Sequence, residues 1–563
     1  MKVVIVGGVA GGASAAARLR RLDETAEIII FEKSGYISYA NCGLPYYVGG
    51  IIRDKEALTL QTPQSFYNRF SIKANVNCEV TAIERDQKRV SVKNLITGEI
   101  FTESYDKLIL SPGALPVVPS FCHGGERVFT LRTVEDAIKL KAFCKEKNVK
   151  SAAVIGGGFI GLGIAENLMD TGASVTLFER SDHVLAIVDD LAAAFVHNEL
   201  RAHGVDLQLK ADTLSLKTAD GCAELVLSDD RTMRFDMAVV AIGVYPDSSL
   251  AVKAGLKTGV KGAIAVNKNM QTSDPDIYAV GDAVEISALP LKNSAVIALA
   301  GPANKQGRIA ADNIAGINSE YQDTQGASVI KVFSKTVASV GATEKQLKTA
   351  GVAYEKIILS AGNHAGYYPG ASSMTIQCLY SKDSGLILGA QIVGGDGVDK
   401  RIDVLSVAMR VGLKAAALKD LELAYAPPYS SAKDPVNMIG FIADNIEKGI
   451  VKQFYYEDLD ALKNNADALF IDARTPFEYV RGHADGFINI PLDDMRYRLD
   501  EIEKTKTVYV MCQSGLRSYL ATRILAQNGY DVYNFAGGYM TYAALKNHEY
   551  ELKECLGCGM EKR

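Results

Sequence analysis

The stretch Val3-Val4-Ile5-Val6-Gly7-Gly8-Val9-Ala10-Gly11-Gly12 decides the fold of the first part of this chain. A short apolar run followed by clustered glycines is typical of a buried strand that ends in a tight turn. Residues 13–22 then read as a helix and residues 27–31 as a second strand that ends at Glu32. This βαβ pattern predicts a dinucleotide site, with pyrophosphate at the helix N-terminus and Glu32 on ribose hydroxyls.

The match of this first turn to the dinucleotide pattern is incomplete. Val9 stands where the middle glycine of G-x-G-x-x-G belongs. Taken alone, the turn is also compatible with a glycine-rich turn in any α/β protein.

A second unit of the same kind begins at residue 152 and matches the pattern in full. The strand 153–155 leads into Gly156-Gly157-Gly158-Phe159-Ile160-Gly161, then a helix to about residue 170 and a strand that Glu179 closes. Two such units predict an enzyme that holds two dinucleotides, one a flavin and the other a nicotinamide. Glu179 favours NADH because a carboxylate repels a 2′-phosphate, whereas the neighbouring Arg180 weakens that preference.

Length and composition limit the remaining possibilities. A chain of 563 residues predicts three to four domains, and its net charge of −5 does not suggest a nucleic-acid or membrane surface. We expect no membrane span, because no apolar run approaches the roughly 20 residues needed, and the N-terminus lacks the features of a signal peptide. Nine dispersed cysteines predict reduced thiols in a cytoplasmic protein rather than a disulfide framework.

A lone cysteine follows the first unit, in the loop Ser38-Tyr39-Ala40-Asn41-Cys42-Gly43-Leu44-Pro45-Tyr46. We interpret Cys42 as a redox thiol held beside a flavin. Later, the segment Asp276-Ile277-Tyr278-Ala279-Val280-Gly281-Asp282 ends a strand, and Asp282 is placed to accept hydrogen bonds from a polyol chain. An ordinary strand-end turn is the plain alternative.

In these motifs the chain resembles the flavoprotein disulfide reductases of the pyridine-nucleotide class, with FAD on the first unit and NAD(P)H on the second. Gly281-Asp282 is similar to that family's second FAD fingerprint, which implies that Asp282 binds the ribityl chain. The predicted cofactor-binding residues are Gly7, Gly8, Ala10, Gly11, Gly12, Glu32, Lys33, Val80, Ser111, Gly113, Asp282 and Ala300 for FAD, and Gly156, Gly158, Phe159, Ile160, Gly161, Glu179 and Gly243 for NAD(P)H.

The cysteine pattern separates the branches of this family. Glutathione-type reductases carry a C-x4-C pair, but this chain has Tyr47 at the second position. That leaves the single-cysteine branch of NADH oxidases, NADH peroxidases and coenzyme A disulfide or persulfide reductases. The first glycine turn lacks the histidine of peroxidase relatives, which argues against peroxide chemistry.

Two stretches, 363–370 and 424–434, resemble the C-terminal domain of the coenzyme A branch. The resemblance implies a homodimer in which Tyr367 and Tyr425 of one subunit assist the leaving thiolate at the Cys42 of the other. Interface packing is the plain alternative for both tyrosines. The resemblance also implies that coenzyme A contacts Ser14, Arg18, Arg21, Ser38, Asn41, Asn304 and Lys433. Relatives often have a glutamate where this chain has Gly163, which puts a role for a carboxylate there in doubt.

A second cysteine loop lies near the C-terminus. The apolar strand 508–511 ends in Cys512-Gln513-Ser514-Gly515-Leu516-Arg517, just before a helix from about residue 519. Converging N–H groups and the cation of Arg517 are expected to stabilise a thiolate or persulfide on Cys512. Residues 455–550 resemble a rhodanese domain; a phosphatase is the rival, but its loop would be one residue longer.

The predicted fold class is α/β. We expect two Rossmann-like dinucleotide-binding domains, an α+β dimerisation domain and a C-terminal α/β rhodanese domain. The predicted bounds are 1–115 with 266–322 for FAD, 116–265 for NAD(P)H, 323–445 for dimerisation, 446–454 for a linker, 455–552 for the rhodanese domain and 553–563 for a tail.

The predicted activity is the reduction of coenzyme A disulfide, coenzyme A persulfide or polysulfide by NADH or NADPH through FAD and Cys42. The rhodanese domain would handle sulfane sulfur at Cys512. No resident metal is predicted; Cys555 and Cys558 in the tail could relay sulfur, form half of a metal site or have no set role. An NADH oxidase that reduces O2 through a Cys42 sulfenate and a flavin redox sensor remain alternatives.

Overall fold

The computed structural model describes residues 1–554, in which two units are distinguished: Met1–Ser181 with Gly204–Gly326, and Asp182–His203 with the chain from Ala327 onward. The first unit contains a parallel five-stranded sheet in the order Ile277–Ala279, Lys107–Leu110, Lys2–Val6, Glu27–Phe31, Lys73–Asn75. The predicted βαβ unit is thereby confirmed. Its helix is Ala10–Leu22 and starts three residues earlier than predicted, because the glycines after Val9 are already helical.

The second dinucleotide-type unit repeats this arrangement. Its parallel sheet runs in the order Val128–Phe129, Met237–Val240, Ser151–Ile155, Ser174–Phe178, Asp206–Gln208. The helix Phe159–Asp170 follows its central strand, as the sequence predicted. Fully buried Val, Ile and Ala side chains on these strands pack on both faces, as parallel sheets require.

Short strands, most of them paired antiparallel, and further helices complete the first unit. The strand groups are Cys78–Glu84, Arg89–Asn94, Ile100–Ser104; Cys122–Gly124, Thr213–Ala219, Cys222–Leu227, Thr232–Phe235; Ala114–Pro116, Val244–Pro246; and Ile264–Ala265, Val284–Ala288, Asn293–Ala295. The helices are Leu44–Gly49, Pro63–Phe70, Val134–Lys147, Ser249–Lys253 and Ala300–Ile314.

The larger part of the second unit contains an antiparallel five-stranded sheet. Its strands lie in the order Ser328–Val332, Lys335–Gly341, Ile387–Gly394, Ser373–Ser381, Tyr354–Gly362. The helices of this part are Asp190–Ala202, Glu344–Thr349, Val398–Arg410 and Pro435–Glu447. Apolar residues of the sheet and of the last two helices form one buried cluster, which gives the predicted α+β domain its core.

The C-terminal part is a parallel sheet in the order Gln453–Phe454, Val532–Phe535, Thr507–Met511, Ala468–Asp472, Ile488–Asn489. Its helices are Leu459–Lys463, Pro476–Val480, Leu516–Gln527 and Gly538–Glu554. The segment 446–454, predicted as a linker, ends in the edge strand of this sheet. Cys555 and Cys558 lie outside the described residues.

Buried polar contacts hold the C-terminal domain against the antiparallel sheet within the second unit. Lys356 is 7% exposed and forms ion pairs with Glu344 of its own domain and with Glu457 of the C-terminal domain. The hydroxyl of Tyr455 donates a hydrogen bond of 2.6 Å to the carbonyl of Lys356. These contacts join the two domains, with Lys356 buried and Glu457 about half exposed.

A buried histidine pair makes a further contact in the second unit. The rings of His197, on Asp190–Ala202, and His548, on Gly538–Glu554, lie 4.9 Å apart. The Nδ1 atoms of both rings are buried without a hydrogen-bond partner, while His197 Nε2 accepts from the N–H of Val184 at 3.2 Å. Burial, together with the charge of His548, holds the pKa of His197 well below its ordinary value.

We expect the second unit to lose stability as the pH falls. A histidine with a depressed folded pKa binds its proton more readily when unfolded, so stability falls below the unfolded pKa of about 6.5, by up to about 1.4 kcal/mol per pH unit. His197→Phe should flatten this loss between about pH 7 and pH 5. Denaturant melts at several pH values measure it, with the exposed His123→Gln as control; an unchanged slope in His197→Phe would contradict the expectation.

No helix within residues 1–554 combines the length and apolar character that a membrane crossing requires.

Candidate active site

Gly8 joins the first glycine turn to the cysteine loop. Its N–H donates a hydrogen bond of 2.8 Å to Glu32 Oε2, and its carbonyl accepts one of 2.8 Å from the N–H of Ser38. A Cβ on Gly8 would lie 2.9 Å from the side chain of Ile37. The turn therefore fixes both the acidic strand end and the start of the loop that carries Cys42.

The first turn has the shape of a dinucleotide cradle. A Cβ on Gly7 would lie 2.0 Å from the carbonyl oxygen of Ser111, and one on Gly12 would lie 1.9 Å from the carbonyl oxygen of Gly7. The lining of the adjoining cleft includes Gly7, Glu32, Lys33 and Val80. These predicted residues share one cleft and fit the adenosine end of FAD.

The predicted polyol ligand Asp282 is buried near a cation that the sequence did not reveal. Burial raises the pKa of its carboxyl group, and Arg132 Nη2 lies 3.5 Å from Asp282 Oδ2. The Nε of Arg132 donates to the carbonyl of Ala114 at 3.1 Å, just beyond Gly113. A desolvated carboxylate with spare acceptor capacity fits a hydroxyl-bearing chain. Ala10 and Gly11 start the first helix, and Ala300 starts the helix Ala300–Ile314.

The second glycine turn makes the same hydrogen bonds to its glutamate, and has the same close approach between glycines, as the first turn. Glu179 Oε2 accepts from the N–H of Gly157 at 2.8 Å, and Oε1 accepts from the N–H of Ser181 at 2.8 Å. A Cβ on Gly161 would lie 1.8 Å from the carbonyl oxygen of Gly156, whereas one on Gly158 would meet nothing within 4 Å. That open space at the start of the helix Phe159–Asp170 suits a pyrophosphate. Phe159 and Ile160 begin this helix, and Gly243 has φ +118°.

Cys42 is exposed in a short 3₁₀ turn, Asn41–Gly43, ahead of the helix Leu44–Gly49. Hydrogen bonds from Ala40 N to Leu58 O and from Leu60 N to Ser38 O hold this loop. The Oδ1 atom of Asn41 is buried and has no partner in the chain. An exposed thiol lies in a loop held by hydrogen bonds, beside a buried acceptor that has no partner in the chain. This arrangement suits the binding of a ligand and its reaction with the thiol.

The predicted coenzyme A residues fall into separate groups. Ser14 hydrogen-bonds to Asn304 where the helices Ala10–Leu22 and Ala300–Ile314 pack closely, and Ser38 and Asn41 lie in the cysteine loop. Arg18 Nε donates to the buried Asp312 at 2.7 Å, so part of its donor capacity is already used. Arg21 is exposed in the first unit, and Lys433 is exposed in the second. These assignments stay predictions.

Tyr367 and Tyr425 are brought together in the second unit. Their hydroxyl oxygens lie 3.0 Å apart, and their side chains are 76% and 47% exposed. This hydrogen bond raises the pKa of Tyr367. The two loops that carry them are pinned by Arg401, which the sequence did not single out.

Arg401 is 1% exposed and serves as the centre of a buried cluster. Its Nη2 donates to Asp434 Oδ2 at 2.9 Å and to the carbonyl of Asn363 at 2.8 Å. Ser430 Oγ donates to the same Asp434 oxygen at 2.6 Å. Arg401 therefore ties the Tyr367 loop to the loop that follows Tyr425.

Replacing Arg401 with Met should destabilise the protein by about 3–5 kcal/mol, because it leaves a buried carboxylate without its partner. Chemical denaturation followed by circular dichroism measures the loss. The matched control is Lys419→Met, whose partner Asp444 is more exposed and whose ion pair should therefore contribute much less. Equal effects of the two substitutions would contradict this reading of the Arg401 cluster.

Cys512 ends the strand Thr507–Met511 and is fully buried. Its Sγ accepts hydrogen bonds from Gly515 N at 3.1 Å and from Ser518 Oγ at 3.3 Å. Gly515 has φ +97°, a conformation that favours glycine, and it caps the helix Leu516–Gln527. The predicted cradle of donors is thus present, and the helix begins three residues earlier than predicted.

Arg517, the cation predicted for Cys512, is also paired with a carboxylate that the sequence did not reveal. Its two Nη atoms donate to the two carboxylate oxygens of Glu478, at 2.7 and 2.6 Å. This pairing lowers the pKa of Glu478 to about 2. Glu478 and its partner are 39 residues apart in the chain, and the sequence gave no reason to pair them.

Three family models match the chain. The model described as pyridine nucleotide-disulphide oxidoreductase covers residues 1–307, and its dimerisation domain covers 327–435. The model of the rhodanese-like domain covers 456–545.

Named relatives match over most of the chain. The coenzyme A disulfide reductase of Staphylococcus aureus (strain bovine RF122 / ET3-1) is 38% identical over 443 residues, which are 78% of this chain and 99% of that protein. The reduced CoADR-RHD of Bacillus anthracis has a TM-score of 0.94 and 47% identity, covering 97% of this chain and 98% of that one. A NAD-dependent persulfide reductase from A. fulgidus has a TM-score of 0.90 and 37% identity, covering 96% and 100%. The water-forming NADH oxidase of Lactobacillus brevis has a TM-score of 0.76 and 27% identity, and covers 80% of this chain and 100% of its own.

Proposed function

The chain belongs to the pyridine nucleotide-disulphide oxidoreductase family, and from that premise we propose that it reduces sulfur–sulfur bonds of coenzyme A disulfide, coenzyme A persulfide or polysulfide. The electrons come from NADH, or from NADPH, by way of FAD. The family resemblance and the predicted fold class, including the rhodanese-like domain, are confirmed.

One observation carries the proposal more than any other. The exposed Cys42 lies in a loop that Ser38 ties directly to the first glycine turn, and Tyr47 stands where a paired cysteine would be. A single thiol fixed to a flavin-type cradle suits attack on an external sulfur–sulfur bond. The two solved structures that match nearly the whole chain carry the names of a CoADR-RHD and a persulfide reductase.

Bound FAD would accept a hydride from the nicotinamide and supply an electron pair to sulfur. The chain's own residues do the rest. Cys42 thiolate attacks the incoming sulfur–sulfur bond, so that one sulfur bonds to Sγ and the other leaves as a thiolate. The glycine turns and their glutamates hold the two dinucleotides, and Asp282 orients a hydroxyl-bearing chain.

The tyrosine pair supplies a proton or a hydrogen bond to the leaving thiolate. We infer that Tyr367 and Tyr425 reach the site from the partner subunit of a homodimer. Their hydroxyls are already paired and largely exposed in the single chain, and the domain that carries them matches a dimerisation model. Within one subunit, Arg401 holds the Tyr367 loop and the loop that follows Tyr425 close together.

Two further parts of the proposal concern Cys512 and the compartment. We infer that Cys512 accepts or delivers sulfane sulfur, because the domain matches the rhodanese-like model and two neutral donors stabilise its sulfur. The seven cysteines within the described residues are all free thiols. Free thiols suit a reducing compartment, which supports a cytoplasmic location.

Replacing Cys42 with Ser should abolish NADH-driven reduction of coenzyme A disulfide and coenzyme A persulfide, because serine cannot form the mixed disulfide. The flavin should stay bound, because no cradle contact involves the thiol. Absorbance of the flavin, NADH oxidation and release of thiol or sulfide are measured together. Cys222→Ser, a cysteine whose Sγ donates to Ala219 O, is the matched control and should keep full turnover.

The same assay separates the alternatives. Oxygen consumption with NADH and no sulfide release would favour an NADH oxidase, a reading that the oxidase structures keep open but that leaves the rhodanese domain unexplained. Full turnover in Cys42→Ser would overturn the role of this thiol. Negligible turnover on every sulfur acceptor would favour a redox sensor.

We also expect a preference for NADH of at least about 10-fold in kcat/KM, because the Glu179 carboxylate lies where a 2′-phosphate would approach. Glu179→Gln keeps an acceptor for Gly157 N but removes the charge, so the preference should shrink by about 10-fold. Steady-state kinetics with both dinucleotides measures it, with the exposed Glu99→Gln as control. An unchanged ratio in Glu179→Gln would show that another residue sets the preference.

A further inference from the structure

The arginines beside the Cys512 loop, Arg517 and Arg474, are paired with carboxylates. Arg517 is paired with both oxygens of Glu478, at 2.7 and 2.6 Å. Arg474, whose Nη1 contacts Gln513 Oε1 at 3.3 Å, is paired with the buried Asp472 at 2.7 Å. The two donors to Cys512 Sγ, Gly515 N and Ser518 Oγ, are neutral groups.

This charge balance persists at every pH at which Cys512 can react. Arg517 lowers the pKa of Glu478 to about 2, so the carboxylate is ionised wherever a thiol loses its proton. Glu478 is also held by its own helix start, where Oε2 accepts from Thr475 N at 3.0 Å. The ion pair is therefore a built feature of the loop rather than a chance surface contact.

A doubly charged donor is penalised in such a site. A thiolate and a dianion repel each other twice as strongly as a thiolate and a monoanion, and a protonated persulfide is not repelled at all. Cys512 is 0% exposed, so a donor must also shed water to reach its sulfur. Desolvation costs a dianion most unless a free cation meets it.

The surface next to the ion pair carries exposed apolar side chains, and the guanidinium of Arg481 stacks on one of them, Phe477, at 4.3 Å from the ring centre. Leu516, beside Arg517, is 55% exposed, and Phe477, beside Glu478, is 66% exposed. Such side chains contact an organic carrier better than a small hydrated anion.

We propose that Cys512 takes sulfane sulfur from persulfides carried on organic thiols and discriminates against dianionic inorganic donors such as thiosulfate, with Glu478 as the residue that sets this specificity. The inference rests on the proposed sulfurtransferase role of the C-terminal domain and names its class of donor.

The transfer balances in atoms and charge. Cys512–S⁻ attacks the outer sulfur of R–S–S⁻, a new sulfur–sulfur bond gives Cys512–S–S⁻, the sulfur–sulfur bond of the donor breaks, and R–S⁻ leaves. With thiosulfate the same attack would release sulfite. With cyanide as acceptor, the outer sulfur leaves Cys512 as thiocyanate and the thiolate returns, so no oxidant or reductant is consumed.

The test measures thiocyanate formation by the full-length holoenzyme from coenzyme A persulfide and from thiosulfate, without NADH. Rates of Cys512→Ser are subtracted to remove direct reaction of cyanide. We expect kcat/KM of the wild type to be at least about 10-fold higher for the persulfide than for thiosulfate. Glu478→Gln frees the Arg517 cation while its amide oxygen still accepts from Thr475 N, so this ratio should fall by about 10-fold, through a lower KM for thiosulfate.

Two further variants keep the result decisive. Glu501→Gln breaks an equally close carboxylate–arginine pair, with Arg498 at 2.6 Å, and should leave the ratio unchanged. Glu478→Gln combined with Arg517→Gln removes both charges and should restore the preference for persulfide. A wild type that uses both donors equally, or a Glu478→Gln variant with the wild-type ratio, would overturn the inference.

If Glu478→Gln loses transfer from both coenzyme A persulfide and thiosulfate, the inference is judged on the wild-type ratio of kcat/KM for the two donors and on the variant that combines Glu478→Gln with Arg517→Gln. Loss of all Cys512-dependent transfer in the wild type would instead count against the proposed role of this domain. NADH-driven reduction at Cys42 is measured separately, so its failure is recognised independently.

Discussion

The hydrogen bond between a strand-end glutamate and the second residue of a glycine turn is the contact on which the catalytic part depends. It occurs twice with the same length, from Gly8 N to Glu32 and from Gly157 N to Glu179, both at 2.8 Å. Each glutamate also accepts the N–H two residues further on. The pair of contacts closes the carboxyl edge of a parallel sheet into a cradle, the place where open α/β sheets bind ligands.

The first of these turns has an additional task. The carbonyl of Gly8 also accepts a hydrogen bond from Ser38 N, and there is no room for a Cβ on Gly8 beside Ile37. The turn that would hold the dinucleotide therefore also positions the loop of the proposed redox thiol, Cys42. Cys512 is set up in the opposite way: it is buried, and its sulfur is held by two neutral donors. The exposed thiol suits attack on a bulky substrate, and the buried one suits the holding of a reactive sulfur.

The sequence was a good guide wherever local pattern determines structure. Apolar runs and glycine spacing predicted both βαβ units and the strand–loop–helix around Cys512. Two helix starts were wrong by three residues, because Gly11 and Gly12 already belong to the first helix and the helix after Gly515 begins directly at Leu516. It was a poor guide to which charges meet. Arg132 with Asp282, Arg401 with Asp434 and Arg517 with Glu478 are 150, 33 and 39 residues apart, and periodicity encodes burial, not pairing. Arg517 was interpreted as a cation for Cys512 from its place in the loop, but nothing in the sequence indicated that Glu478 pairs with it.

The contacts inside the second unit also constrain how sulfur reaches Cys512. Lys356 is paired with a glutamate on each side of the boundary between the antiparallel sheet and the C-terminal domain, and Tyr455 donates to its carbonyl at 2.6 Å. Moving the C-terminal domain away would separate Lys356 from Glu457, whose side chain is 54% exposed, and would break the hydrogen bond of Tyr455. These contacts favour the docked arrangement within the second unit, in which a mobile carrier would bring sulfur to Cys512 without a movement of the domain. A carrier with an organic arm meets this demand better than a compact dianion, because an arm can cross the apolar rim while its charged end stays in water.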